Sequence, residues 1–336
     1  MSKLPLRLLL FLFLFLSSNV SANLEDALAS FDSGDYTSAL SDFTDLAQQG
    51  NYIAQFNLGL MYSRGLGTER DFDRALLLYR QSAQQGVPEA AYYIGNIYDQ
   101  GIGTDIDVDE AFYWYEQAAE QGFAAGQYAI ATMYFNGQSR EVDYQQAQIW
   151  YEHAAAQEHP DSQYMLGVIY AEGMGVSRDL AKAFGWFKLA AEQDNADAQY
   201  NLGSMYLSGQ GTEQDHGAAL EWFKRASYLG VPQAQTKVGI MYAAGQGSDQ
   251  DYEEAIRWFL LAAESGDPDS HSLLGNFYLN GYGVSKDNVE AFRWYKIAAE
   301  GNDSVARHLV IELASQLSEE EILRGESLAV EWLEKH

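Results

Sequence analysis

The residue types that could do chemistry are present in this chain, but their spacing completes no catalytic or metal-binding motif. Four carboxylates come closest, because they occupy positions 1, 3, 5 and 12 of a calcium-binding loop: Asp105, Asp107, Asp109 and Glu116. Such a loop requires glycine at position 6 for its sharp turn, and this chain has Glu110 there. We therefore predict that this segment binds no calcium.

Histidine and cysteine, which ligate most transition metals, give no site either. The chain contains no cysteine, which excludes a disulfide framework, a thiolate zinc site and a cysteine nucleophile. No two of the six histidines are three or four residues apart, the spacing that places two ligands on one helix face. These histidines are His153, His159, His216, His271, His308 and His336. We expect neither a metal nor a cofactor.

The charge of the chain narrows the classes of partner. It has 48 acidic and 20 basic residues, and thus a formal charge of −28. This excess argues against nucleic acid or an anionic membrane surface as the main partner, and it favours basic segments of another protein. Solubility alone would also explain it. Since 47% of the residues are apolar and 14% are aromatic, the chain has enough apolar surface to bury a core.

The N-terminus has the residue order of a secretory signal peptide. Lys3 and Arg7 precede nine consecutive Leu or Phe residues at positions 8–16, and small residues then lead to Ala22. Nine apolar residues are too few for a membrane span, which needs about 20. We predict cleavage between Ala22 and Asn23 and an exported protein, either periplasmic or released from the cell.

A period of 36 residues organises the chain from residue 54 to residue 305. One glycine recurs at this interval, with alanine in its place in the third of seven repeats: Gly59, Gly95, Ala131, Gly167, Gly203, Gly239 and Gly275. Tyrosine follows three residues later, glycine six residues later and aspartate twelve residues later in every repeat. Such regularity is the signature of stacked repeats.

Each repeat is expected to form two helices. The first ends at a glycine such as Gly65, and the second begins after an aspartate such as Asp71, whose side chain can cap it. Four prolines stand where the first helix of a repeat begins, at Pro88, Pro160, Pro232 and Pro268. Six tryptophans share one position of the second helix, which predicts a place in the core rather than a sugar-binding platform.

Acidic or amide side chains extend the capping pattern. Glutamate or glutamine stands three residues after the capping aspartate in four repeats, which predicts capping boxes at Asp107, Asp143, Asp251 and Asp287. The same signature at Ser318 and Glu321 predicts the start of a final helix.

The third repeat departs from the pattern. It has Ala131 for the periodic glycine, Ser139 for the second loop glycine and Glu158 for the closing glycine. We expect its loop at residues 138–140 to be shaped differently from the others.

These patterns predict an all-α protein, a right-handed α-solenoid of stacked helix-turn-helix repeats. The expected organisation is a signal peptide at residues 1–22, an N-terminal helix pair at 23–53, seven repeats at 54–305 and C-terminal capping helices at 306–336. We expect the terminal caps to have a more polar outer side.

The repeat resembles the Sel-1-like repeat, a longer-looped relative of the tetratricopeptide repeat. The resemblance lies in the pattern Ala-x4-Gly-x2-Tyr-x2-Gly-x-Gly-x3-Asp-x3-Ala, which begins at Ala54. It covers about three-quarters of the chain. It implies an α-solenoid that acts as an adaptor or regulator in protein complexes, often exported in bacteria, with a tetratricopeptide-like N-terminal pair.

An enzyme would need other residues. Some members of this repeat family have been described as β-lactamases, but this chain lacks Ser-x-x-Lys, Ser-Asp-Asn and Lys-Thr-Gly. We therefore expect a non-catalytic scaffold that binds another envelope or secreted protein. An assembly factor of an envelope machine (polysaccharide export or flagellar motor) and, from another class, a hydrolase of cell-wall material or β-lactams stay open as alternatives.

The expected partner-binding residues lie on the first helices, which usually line the concave side of such a stack. Positions two before, one after and five after the periodic glycine share one helix face, and these positions vary between repeats. The candidates are Asn57, Leu60, Arg64, Tyr93, Asn96, Gln100, Thr132, Asn136, Met165, Glu172, Asn201, Ser204, Lys237, Asn276 and Asn280. The same stripe includes Ala129, Val168, Ser208, Ile240, Ala244 and Leu273. Asparagine can bond both N–H and C=O of an extended ligand. The alternative is an ordinary solvated helix face.

Overall fold

A computed structural model describes residues 18–336 of the protein, with side chains from Leu24 onward. These residues form eighteen helices and no strand, which confirms the all-α prediction for this part of the chain. The helices are α1 Ser18–Ser33, α2 Tyr36–Gln48, α3 Tyr52–Arg64, α4 Phe72–Ala83, α5 Pro88–Gln100, α6 Val108–Glu120, α7 Ala124–Asn136, α8 Tyr144–Ala155, α9 Pro160–Glu172, α10 Leu180–Ala191, α11 Ala196–Ser208, α12 His216–Tyr228, α13 Pro232–Ala244, α14 Tyr252–Glu264, α15 Pro268–Asn280, α16 Asn288–Glu300, α17 Ser304–Ala314 and α18 Glu319–Lys335.

The expected signal peptide is largely outside this description, because residues 1–17 are not among the described ones. Helix α1 begins at Ser18 and runs through the expected cleavage position after Ala22. Cleavage there would leave Asn23–Ser33 as the remaining part of this helix.

The helices form two compact units, an N-terminal unit that ends at Gln157 and a C-terminal unit of residues 158–336. Helices α1–α8 belong to the first and α9–α18 to the second. In the N-terminal unit each helix packs against the next along the chain. The same holds from α9 to α17 in the C-terminal unit, where α18 packs on α16. Consecutive packing of this kind is typical of an α-solenoid. The odd-numbered helices α3–α15 are the first helices of the seven repeats.

Turns inside the repeats follow the predicted chemistry. Gly65 ends α3 in the left-handed conformation with φ 70°, and the Asp71 side chain accepts a hydrogen bond from the Arg74 amide at the start of α4. The prolines at 88, 160, 232 and 268 occupy the first turn of their helices, where a missing amide costs nothing. In these turns the glycine, the capping aspartate and the proline act through bonds within a few residues.

Of the four capping boxes predicted inside the repeats, the aspartate caps are confirmed, but the return bond from the glutamate or glutamine three residues later is wrong. The aspartate caps are present, but the backbone amide of Asp107 donates to the Tyr98 carbonyl at 3.0 Å, and the equivalent bond recurs in every repeat. With that amide occupied, the Glu110 carboxylate instead accepts from the Trp114 indole at 3.0 Å. Glu254 and Trp258 repeat this arrangement. The box at Ser318 and Glu321, by contrast, is confirmed.

The periodic glycine lets the two helices of a repeat approach closely. A Cβ at Gly95 would lie 2.5 Å from the Tyr115 ring, so only glycine fits at this separation. The third repeat has Ala131 there, and its α7 lies so close to α6 that a Cβ at Gly126 would be 2.6 Å from that of Ala118. In this repeat glycine thus lies at the contact with the preceding repeat, and α7 still packs against α8.

The expected difference in the third loop is wrong. Ser139 adopts φ 63°, within a few degrees of the glycine at the same position in other repeats, such as Gly67 at 69°. Its hydroxyl donates to the Asp109 carboxylate, and Arg140 contacts the same carboxylate. These contacts hold a conformation that is otherwise unfavourable for serine.

The expected C-terminal capping helices are α17 and α18, and exposed charged residues such as Glu319, Glu320 and Glu334 lie on α18. Helices α17 and α18 both pack on α16. The rings of Trp332 in α18 and Trp294 in α16 meet with their centroids 4.9 Å apart. Apolar side chains remain exposed on both helices, among them Val305, Ile311 and Leu323. Each of these two helices therefore carries both charged and apolar residues on its exposed side.

Candidate partner-binding surface

Two of the predicted partner-binding residues, both in the first repeat, are buried, and their assignment is corrected. Asn57 and Leu60 are 7% and 4% exposed. The Asn57 amide donates to the Ile53 carbonyl of its own helix at 2.8 Å, and Leu60 belongs to the apolar cluster that contains Phe56 and Tyr79. Side chains enclosed in this way cannot contact a partner without unpacking α3.

Aromatic rings occupy the rest of this face in the first two repeats. Tyr93 stacks on Tyr79 with ring centroids 5.5 Å apart and meets the edge of Phe56 at 5.6 Å. The exposed Arg64 donates to the Tyr93 hydroxyl at 3.3 Å. The Asn96 oxygen accepts from the Tyr115 hydroxyl at 2.8 Å.

Further along the N-terminal unit, the face is more open at its edge. Thr132 is half-buried and lies 3.0 Å from the Tyr151 hydroxyl. Gln100 and Asn136, at the C-terminal ends of α5 and α7, are exposed. In this unit the stripe therefore consists of internally bonded side chains with a few exposed residues at the helix ends.

In the C-terminal unit the same stripe is accessible. Glu172, Asn276 and Asn280 are exposed. Two asparagine side chains bond within their own helix: Asn201 donates to the Asp197 carbonyl at 3.0 Å, and Asn280 to the Asn276 carbonyl at 2.9 Å. These amides keep fewer donors for a ligand than the sequence suggested. The half-buried residues of the stripe here are Met165, Asn201, Ser204, Lys237 and Leu273.

Two cavities open between the first helices of this unit. One, of about 250 Å³, lies between α9 and α11 and includes Val168, Glu172, Asn201, Ser204 and Ser208 in its lining. The second, of about 370 Å³, lies along α11, α13 and α15, and we name it the acidic groove. Its lining is Tyr200, Gln233, Thr236, Lys237, Ile240, Asp267, Asp269, Ser272, Leu273 and Asp303.

Two aromatic rings found in the other repeats are missing beside the acidic groove. Three residues before the periodic glycine, five repeats have an aromatic residue: Phe56, Tyr92, Tyr128, Tyr164 and Tyr200. Each of these rings packs against the aromatic ring of the second helix in its own repeat, for example Tyr200 on Phe223 at 5.5 Å. The last two repeats have Thr236 and Ser272 instead, which are too small to fill this space. This change of residue type is visible in the sequence, but it lies outside the stripe that helical spacing identified.

Hydroxyl groups at these two positions hold carboxylates in the groove. Thr236 donates to Asp267, and Ser272 donates to Asp303 of the following turn. Asp267 is only 3% exposed, and its burial raises the pKa of this carboxyl above the ordinary value. The hydrogen bond from Ser272 lowers the pKa of Asp303, which lies nearer the solvent. The two carboxylates therefore sit in different electrostatic surroundings.

The groups considered for metal chemistry are not gathered into a site. Among residues 18–336, no cluster of three or more histidine, aspartate or glutamate side chains could hold a metal ion. Of the calcium-like carboxylates, Asp107 caps α6 and Asp109 contacts Ser139 and Arg140. The part of the chain that the structure describes also has no helix long and apolar enough to cross a membrane.

Comparison with protein families gives a match over most of the chain. The family model described as Sel1 repeat matches seven consecutive segments, at residues 53–87, 88–123, 124–159, 160–195, 196–231, 232–267 and 268–303. No curated protein matches the chain at a significant level.

Solved structures with the same fold cover nearly the whole chain. A Sel1 repeat protein from Oxalobacter formigenes is 28% identical with a TM-score of 0.65, and the match covers 92% of this chain and 98% of that one. A protective antigen of uropathogenic Escherichia coli strains is 24% identical with a TM-score of 0.57, and the match covers 94% of this chain and 92% of that one. The second likeness concerns the fold alone.

Proposed function

The chain belongs to the Sel1 repeat family, and from this premise we propose that it is a non-catalytic adaptor that binds a segment of a partner protein on the first helices of its C-terminal unit. Sel1 repeat proteins are generally protein-interaction scaffolds. To this general role we add where binding takes place, on the first helices of the C-terminal unit, and the kind of ligand, a segment of a partner protein.

The single observation that carries this proposal is the pair of cavities between first helices in the C-terminal unit. They are lined by stripe residues that differ from repeat to repeat, such as Glu172, Ser204 and Lys237. Repeat proteins use such rows of helices to hold extended segments. The residues of the first repeat that are buried, Asn57 and Leu60, are left out of this surface.

We further propose that the adaptor works outside the cytoplasm, in the periplasm or released from the cell. The support is the signal-like order of residues 1–22, since a scaffold with such a leader would meet envelope or secreted proteins. Mass spectrometry of the protein recovered from cell fractions tests this: we expect an N-terminus at Asn23 outside the cytoplasm. An uncleaved cytoplasmic protein would contradict it.

Site-specific photo-crosslinking in the source cells tests the adaptor function. A crosslinking residue replaces Ser204, Lys237 or Ile240 in the cavities, and Glu221 or Arg257 on second helices serves as the control because both are exposed. We expect one discrete adduct from the cavity positions that is absent from the control positions. The same partner should copurify with the unmodified chain in a fixed ratio.

Two results would contradict the proposal. One is an adduct pattern that is the same for cavity and control positions, which would show no preferred face. The other is turnover of a peptidoglycan fragment or a β-lactam by the purified chain, which would place it among hydrolases instead.

A further inference from the structure

We propose that the acidic groove receives an arginine or lysine side chain of the partner segment, with apolar residues of that segment beside it. This inference rests on the proposed function and specifies the place and the chemistry of that binding.

The groove has the space for a side chain. Thr236 and Ser272 follow each other in the last two repeats, so the aromatic layer that fills this position in the other repeats ends at Tyr200. The resulting cavity of about 370 Å³ lies beside the half-buried Leu273 and beside Ile240, which is 37% exposed. A long side chain that enters here can cover these apolar groups with its methylene stem.

The charge of the lining selects a cation. Asp267, Asp269 and Asp303 contribute three carboxylates, whereas Lys237 is the one basic residue of the lining, so the balance with all four ionised is −2. Asp269 is exposed and Asp303 is half-buried, so a basic side chain can reach both carboxylates, and the buried Asp267 adds its negative charge beside them. An arginine can offer two parallel N–H groups to one carboxylate, and a lysine can offer a point charge.

The hydroxyl–carboxylate pairs fix the orientation of two of the carboxylates in the groove. Thr236 and Ser272 hold Asp267 and Asp303 in the same way in successive repeats. The carboxylates are thus positioned before any ligand binds, which reduces the cost of ordering them. A bound metal ion is disfavoured, because the carboxylates of the described residues include no three close enough to ligate one.

The first experiment selects ligands without knowing the partner. A display library of random peptides about 12 residues long, which can extend to about 40 Å, is selected on the full chain and, separately, on the Asp267→Asn/Asp303→Asn variant. We expect the peptides enriched on the wild type to contain arginine or lysine next to leucine, isoleucine or valine. Asparagine can still accept from Thr236 and still cap α17, so this variant is expected to keep its fold.

Affinities of the best enriched peptide are then measured by fluorescence anisotropy. We expect binding about tenfold weaker or worse on the double variant, and a similar loss when citrulline replaces the arginine of the peptide, since one charged contact is worth about a factor of ten. A control variant, Glu69→Gln/Asp73→Asn, removes the same charge from exposed positions of the N-terminal unit. It should change the affinity by less than about twofold, because exposed charges at a distance are screened.

A second variant closes the groove instead of neutralising it. Thr236→Tyr/Ser272→Tyr restores the aromatic layer of the other repeats, and we expect it to keep the helical circular dichroism signal and to lose peptide binding. Enriched peptides without basic residues, or binding that both groove variants leave unchanged, would overturn the inference while leaving the adaptor function intact. If no peptide is enriched, the inference is wrong, and the crosslinking experiment decides the adaptor function independently.

Discussion

The first-helix faces of the two units are built on the same repeat but differ in what fills them. In the N-terminal unit, Phe56, Tyr79 and Tyr93 pack together over the first two repeats. In the C-terminal unit, Thr236 and Ser272 leave an open groove with carboxylates. The residue three positions before the periodic glycine therefore contributes to how far this face is filled, together with the side chains that neighbouring helices supply.

The largest expected effect is a difference in stability between two variants, one in each unit, that shorten the side chain at the same repeat position. Leu60→Ala removes a buried side chain, so we expect the free energy of unfolding to fall by about 2–4 kcal/mol. Ile240 occupies the equivalent position in the C-terminal unit and is 37% exposed. We expect Ile240→Ala to lower the free energy of unfolding by about 1 kcal/mol or less. Urea denaturation of both variants measures the difference, and equal losses would contradict the distinction between filled and open faces.

A medium effect is expected from opening the filled face. Tyr128 packs on Tyr151 with ring centroids 5.8 Å apart, and Tyr128→Thr introduces the residue found at 236. Because removal of the Tyr128 ring leaves a cavity over α8, we expect the free energy of unfolding to fall by about 1–3 kcal/mol. Thermal and urea unfolding check this. The control is Tyr228→Ala, whose side chain is 76% exposed, and it should change stability by no more than about 0.5 kcal/mol.

The smallest effect is a pH dependence with opposite signs for the two groove carboxylates. Burial raises the pKa of Asp267 from the ordinary 3.8, so its ionisation destabilises the fold as pH rises from near 3.8 through the raised value. The bond from Ser272 lowers the pKa of Asp303 from 3.8, so its contribution is present above 3.8 and is lost as pH falls through the lowered value.

Single variants separate these two contributions. Relative to the wild type, Asp267→Asn should become more stabilising as pH rises through this range, and Asp303→Asn should become more destabilising. Urea denaturation at several pH values between about 3 and 7 measures both slopes. Slopes of the same sign would show that the two carboxylates share one environment, contrary to the structure.

Much of the fold could be predicted from the sequence because repetition shows the same local rule seven times. The helix pairs, the glycine turns and the aspartate caps are set by residues within a few positions of each other. The third loop shows the limit of this reasoning: Ser139 adopts the conformation of glycine because Asp109, 30 positions earlier, holds its hydroxyl. A pattern read within one repeat cannot predict a contact with a residue of the preceding repeat.

The candidate site was predicted less well, for a related reason. Helical spacing identified the face, but Asn57 and Leu60 are buried because rings and apolar side chains from neighbouring helices enclose them. The acidic groove was missed, since Asp267 and Thr236 are 31 positions apart and only their hydrogen bond shows that they belong together. Variable positions on one helix face are therefore not equally accessible.

The family, the period of the repeats and the ends of most helices follow from the order of the residues, because they depend on interactions within one repeat. The same local spacing also gave the face that we propose for ligand binding. Three further outcomes needed the folded chain: which residues of that face are open, which bonds the capping glutamates make and where carboxylates meet hydroxyls. Those outcomes depend on the volume and the hydrogen-bonding groups that an adjacent repeat supplies, and periodicity carries no information about how a particular neighbour fills the space.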